Sequence, residues 1–236
     1  MQLLQNKNIS LFGISGVPGF LIGKDSKKYF SMDTFKSVLK SKGYEIDHEE
    51  IFYWPYEMSL RFPPRMLFAT EVYYLAIKNP KSDYAEKILS EYIKRINILA
   101  RKSDKIFIFA HSAGTIFTQR LLLDKRLNLG KCEICPVLVA VPNQILYGSK
   151  IINKFFGGAC LEKEVEDIKY KTVMITGEFD ILSGPEVPGS NKNKHLKHIG
   201  PLKTRKRLEY IPGVQHSRLM ADGYKDIYKE ALHFLN

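Results

Sequence analysis

Hydrophobic positions along this chain follow two alternating rhythms. Short, nearly unbroken apolar runs rich in β-formers occupy residues 9–14, 105–110, 135–141, 172–176 and 208–211. Runs of that kind read as strands buried on both faces. Between them, apolar residues recur at three- and four-residue spacing. Residues 33–41 carry Phe35, Val38 and Leu39 and stop before Gly43, a suitable helix cap. Residues 83–101 set Ile88, Ile93 and Ile96 to one side, and residues 224–235 predict a closing helix. A second strand region is expected from residues 44–46 and 51–54, closing at Pro55, and a loop over 20–31. Strands alternating with helices predict an α/β fold with a mostly parallel sheet. Right-handed crossovers then put helices on both faces, and functional groups collect at the C-terminal ends of the strands.

The sharpest local pattern is the run Lys105-Ile-Phe-Ile-Phe-Ala-His-Ser112-Ala-Gly-Thr115. A strand pattern stops at Ser112, and a helical pattern through Ile116, Phe117, Arg120 and Leu121 begins at once. Strand, sharp turn and helix with a serine at the tip is the sequence form of a nucleophile elbow. The turn brings the two backbones together, so only small residues fit two places either side of the serine. Ala110 and Gly114 hold those places. His111 is a poor candidate base, because adjacent strand residues point to opposite faces; a structural role is expected for it.

Composition narrows the setting. The chain has 236 residues, 44% of them hydrophobic, enough for a substantial core in one or two domains. No run of about 18 apolar residues predicts a membrane-spanning helix, and residues 1–8 lack the apolar core of a signal peptide. A cytoplasmic protein is therefore expected. Three cysteines cannot all pair internally; Cys132 and Cys135 form a lone C-x-x-C without a second pair at zinc-site spacing, and buried free thiols are expected. The net charge of +11 is mostly dispersed, but residues 192–207 concentrate Lys192, Lys194, Lys197, Lys203, Arg205, Lys206 and Arg207. That stretch reads as a loop offering contact to an anionic surface or carrier. No recognisable nucleic-acid module accompanies the charge, so nucleic acid is not an expected partner.

Four predicted strands end in groups with chemistry: Ser15-Gly16-Val17, Ser112, Asp180 and His216. A serine hydroxyl needs a base within reach, and the base needs an orienter. His216 suits the first role, since imidazole titrates near neutrality. Asp180 suits the second by fixing the tautomer and stabilising the imidazolium. Asp167 and Glu178 are weaker acids for the part, and His195, His198 and His233 lack a strand-end setting. Backbone N–H groups of Ala113 and Val17 are the expected oxyanion donors, with Ile14 a poorer alternative to Val17.

These motifs together resemble the α/β-hydrolase superfamily, as a divergent member among lipase-, esterase- and thioesterase-like serine hydrolases. The order Ser112, Asp180, His216 is that family's order. Gly177-x-x-Asp180 resembles its acid loop, and Gly213-Val-Gln-His216-Ser217 its histidine loop. Ser15-Gly16-Val17-Pro18-Gly19 resembles its His-Gly-x-x-Gly oxyanion loop with serine for histidine, and Lys42-Gly43-Tyr44-Glu45 its helix end before a strand. Alanine replaces the elbow's first glycine. Members often have two further strands before the oxyanion-loop strand; only a short stretch precedes Ile9 here, so a reduced sheet of about six strands is expected. The resemblance implies a single α/β-hydrolase domain over residues 1–236, with cover segments at 55–80 and 143–170. It implies cleavage of a carboxylic ester or thioester through an acyl-serine, with no metal or organic cofactor. The aromatic-rich segment 55–80 suggests a hydrophobic acyl group, contacted by Trp54, Phe62, Met66 and Phe68. An acyltransferase with the same triad, or an inactive binding protein on the same fold, is the alternative.

Overall fold

The apolar runs pair side by side into one sheet, and its order decides where a site can form. In the computed structural model the described residues are 7–16, 30–52, 83–142, 162–178, 180, 187, 189–210, 215 and 218–236, with the side chains of Tyr84, Glu209, Asp222 and residues 162–164 outside the description. The strands are β1 (Ile9–Ile14), β2 (His48–Phe52), β3 (Lys105–His111), β4 (Glu133–Val139), β5 (Thr172–Gly177) and β6 (Leu196–Leu202). All pair in parallel in the order β2-β1-β3-β4-β5-β6. The helices are α1 (Asp33–Ser41), α2 (Asp83–Ala100), α3 (Ala113–Leu123), α4 (Glu162–Asp167) and α5 (Lys225–Leu235).

Period-two alternation sends the strand side chains into two cores. Phe12, Ile14, Ile106, Ile108, Ala110 and Leu138 face α2 and α3, packing on Tyr92, Ile96, Phe117 and Leu121. Leu11, Phe107, Phe109, Val137 and Ile175 face α1 and α5, packing on Phe35, Val38, Tyr228 and Leu232. Parallel strands covered on both faces must be apolar throughout, and β1, β3 and β5 are buried at every position. Phe35 anchors the second core, stacked on Phe109 at 5.2 Å and edge-on to Tyr228 at 5.7 Å. On the other side, Arg95 ties α2 to β2: it donates to Glu50 at 2.5 Å and lies 4.9 Å over Phe52.

Strand order reverses beside β1. The chain runs from β1 outward to β2, then returns past β1 to β3. Such a reversal opens a crevice at the strands' C-terminal ends, here between β1 and β3.

One expected strand moves. The last strand is β6 at Leu196–Leu202, inside the stretch read as a basic loop, while Arg207–Tyr210 forms a 3-10 helix rather than a strand. Gly200 and Pro201 mask the strand pattern in LKHIGPL. Proline is tolerated there because β6 is an edge strand, with one side of its backbone outside the ladder. Among the described residues no helix is long and apolar enough to cross a membrane.

Candidate active site

Ser112 joins β3 to α3 with φ 52 and ψ −127. That combination lies outside the α, β and left-handed wells of an L-residue. A non-glycine residue held there costs about 1–3 kcal/mol and persists only where its surroundings fix it. The fixing bonds are present: the Ser112 N–H donates to the Val139 carbonyl at 3.0 Å, and its own carbonyl accepts from the Thr115 N–H at 2.9 Å and from Thr115 Oγ1 at 2.6 Å. The Ser112 side chain makes no capping bond to α3. Its hydroxyl is thus not committed to the helix end, as the hydroxyl of an ordinary N-cap serine is.

The small-residue requirement at the elbow is met by contact with β1. A Cβ on Gly114 would stand 2.6 Å from the Ile14 carbonyl oxygen and 2.8 Å from that of Ser15. The obstructing atoms are backbone, so they cannot swing away. Gly114→Ala is expected to destabilise the fold by about 2 kcal/mol, the overpacking outweighing the better helix propensity of alanine. Thermal denaturation checks this; a raised unfolding midpoint would contradict the close approach. The same packing puts the end of β1 against the start of α3. Ala113 opens α3, so its N–H is among those without an acceptor inside the helix. Ser15 is 4% exposed, and its Oγ has no hydrogen-bond partner among the described residues.

Asp180 follows the end of β5, two strands from β3, which is about 10 Å of sheet width. It is 2% exposed, and its N–H donates to the Gly177 carbonyl at 3.4 Å. The two competing carboxylates are placed differently. Glu178 is exposed and accepts from the Thr204 N–H at 3.2 Å, and Asp167 is exposed at the end of α4.

His216 and Val17 lie outside the described residues, as do Trp54, Phe62, Met66, Phe68 and the segment 55–80. Of the segment 143–170, residues 162–170 are described, and they include α4. Gln215, the immediate neighbour of His216, is described and fully buried. Its amide donates to the Leu202 carbonyl at 3.0 Å, and a Cβ on Gly177 would stand 2.8 Å from its side-chain carbon Cδ. Gln215 is therefore lodged over the last residue of β5, three residues before Asp180. Glycine at 177 and glutamine at 215 are the only traces of this contact in the sequence.

The other histidines fall elsewhere. His111 is buried at the last position of β3, on the face of Phe107 and Phe109. His198 on β6 bonds Thr176 Oγ1 at 2.8 Å, His195 lies before the start of β6, and His233 is exposed on α5. Cys132 and Cys135 are free and buried, around the start of β4 and away from the elbow. Burial pushes their thiols up to about 11 and about 12, so neither is a ready nucleophile.

Among the described residues, six parallel strands in this order, with a strained serine between β3 and α3, match the strand order of the α/β-hydrolase fold. No family model matches the chain, and no curated protein matches it. Among solved structures, an esterase of Pyrococcus furiosus aligns over 97% of this chain and 83% of its own at 16% identity and a TM-score of 0.46. A hydrolase from Oleispira antarctica aligns over 97% and 91% at 14% identity and 0.45, and an esterase of Pyrobaculum calidifontis over 96% and 77% at 13% identity and 0.41.

Proposed function

We propose that the chain is a serine hydrolase that cleaves a carboxylic ester or thioester with a hydrophobic acyl group. The observation that carries the reading is the backbone of Ser112. A serine held in a strained backbone at a strand–helix junction, next to the crevice where strand order reverses, combines strain with a reactive group, as functional sites do. The burial of Asp180 and the docking of Gln215 over Gly177 support it, since both residues lie at the C-terminal end of β5.

In this reading His216 takes the proton from Ser112 Oγ as the oxygen attacks the acyl carbon. Asp180 holds the imidazole and stabilises its charged form. The tetrahedral oxyanion is met by the N–H groups of Ala113 and Val17. Collapse expels the alcohol or thiol, which receives the proton from His216, and leaves an acyl group on Ser112. Water, deprotonated by His216, then attacks the acyl carbon, and His216 returns that proton to Ser112 Oγ as the acid leaves. No metal or organic cofactor takes part.

The segment 55–80, with Trp54 before it and Phe62, Met66 and Phe68 within it, lines the acyl site in this proposal. Hydrolysis of p-nitrophenyl esters of graded length tests it. Transition-state binding should improve by up to about 0.8 kcal/mol per added methylene until the pocket fills. A kcat/KM unchanged from two to ten carbons would reduce the segment to core packing, and no turnover of any ester or thioester would overturn the hydrolase reading.

A further inference from the structure

The basic stretch 192–207 is divided by β6. Lys192 and Lys194 precede the strand and lie at its N-terminal end, and Lys192 pairs with Glu166 at 3.0 Å. Lys197 is held by Glu230 at 2.8 Å. Lys203, Arg205, Lys206 and Arg207 follow the strand, on the end that carries Asp180 and Gln215. Arg205 lies over the Tyr224 ring at 5.1 Å. Lys203, Lys206 and Arg207 are exposed and make no ion pair among the described residues. The nearby acids are few. Glu178 is engaged with the Thr204 N–H, Asp226 is held by Lys229 at 2.9 Å, and Glu209 falls within the turn itself.

The same turn breaks the rule of apolar burial. Leu208 is 55% and Tyr210 58% exposed, and Ile98 is the only other large hydrophobic side chain exposed among the described residues. An exposed leucine and tyrosine within one 3-10 turn, beside three exposed cations with no ion pair among the described residues, is an amphipathic arrangement. Cations seek anionic headgroups, while a tyrosine ring and an aliphatic side chain settle at the headgroup–acyl boundary. Charge alone would suit any polyanion. The exposed leucine has no counterpart to meet on a nucleic-acid backbone, and it decides for a lipid surface.

We infer that residues 203–210 dock the protein on anionic lipid membranes, with Lys203, Lys206 and Arg207 against headgroups and Leu208 and Tyr210 inserted beside them. The docking turn follows β6 at the end of the sheet that also carries Asp180 and Gln215. It is independent of the hydrolase reading, because it is measured by binding and not by turnover.

Vesicle flotation of the whole chain tests it, with phosphatidylcholine alone and with one-third phosphatidylserine. The wild type should favour the anionic vesicles by at least tenfold, and lose that preference as salt rises well above about 0.15 M. K203E/K206E/R207E should bind anionic vesicles roughly a hundredfold more weakly, from about fivefold per cation. K203Q/K206Q/R207Q should show a smaller loss in the same direction, and serves if charge reversal unfolds the chain. L208S/Y210S should lose about tenfold or more. Equal binding to neutral and anionic vesicles, or wild-type binding by the charge variants, would overturn the inference. So would unchanged binding of L208S/Y210S, or displacement from vesicles by single-stranded RNA or an acidic protein at lower concentration than by anionic lipid.

Discussion

Ser112→Ala is expected to cut ester turnover by on the order of 10⁴- to 10⁶-fold while the fold stays intact. The substitution removes one oxygen, and no described hydrogen bond of the native state depends on that oxygen. Alanine retains the same backbone restriction as serine, so the strained φ of 52 is not relieved and stability should change little. Binding of the acyl group should survive, so the loss falls on kcat and not on KM. Circular dichroism with steady-state kinetics on one ester separates the two effects. An active, folded Ser112→Ala protein would remove the nucleophile from the account.

Asp180→Asn should also damage catalysis severely, costing on the order of 10⁴ in kcat. An amide of the same shape fills the same buried place but offers the imidazole a neutral partner and favours the wrong tautomer. The wild-type kcat/KM should rise with pH through one ionisation, as His216 becomes neutral and able to accept the serine proton. Glu178→Gln and Asp167→Asn should be close to wild type, since both carboxylates are exposed whereas Asp180 is buried. A dead Glu178→Gln or Asp167→Asn beside an active Asp180→Asn would move the acid role to that residue.

The sequence was most legible where one physical demand fixed each residue. The strands β1 and β3 need apolar side chains on both faces, and their runs marked them to within a residue. The elbow needs a small residue where α3 crosses β1, and Gly114 announced the crossing before its 2.6 Å clearance was known. The edge strand β6 was hidden because only one side of its backbone is paired, so lysine, histidine and Gly200-Pro201 are tolerated in it. Its error carried over to the basic stretch, which β6 splits between the two ends of the sheet. The lodging of Gln215 over Gly177 was illegible for another reason. It joins residues 38 apart in sequence, and either residue alone is common in loops.

The central claim is that the strained serine between β3 and α3 is a covalent nucleophile. Incubation of the wild-type protein with a fluorophosphonate, followed by proteolysis and mass mapping of the adduct, tests it most directly. The account predicts one stoichiometric phosphonyl adduct on Ser112, abolished in Ser112→Ala and strongly slowed in Asp180→Asn. An adduct on another serine, or no adduct on the folded wild-type protein, would contradict it.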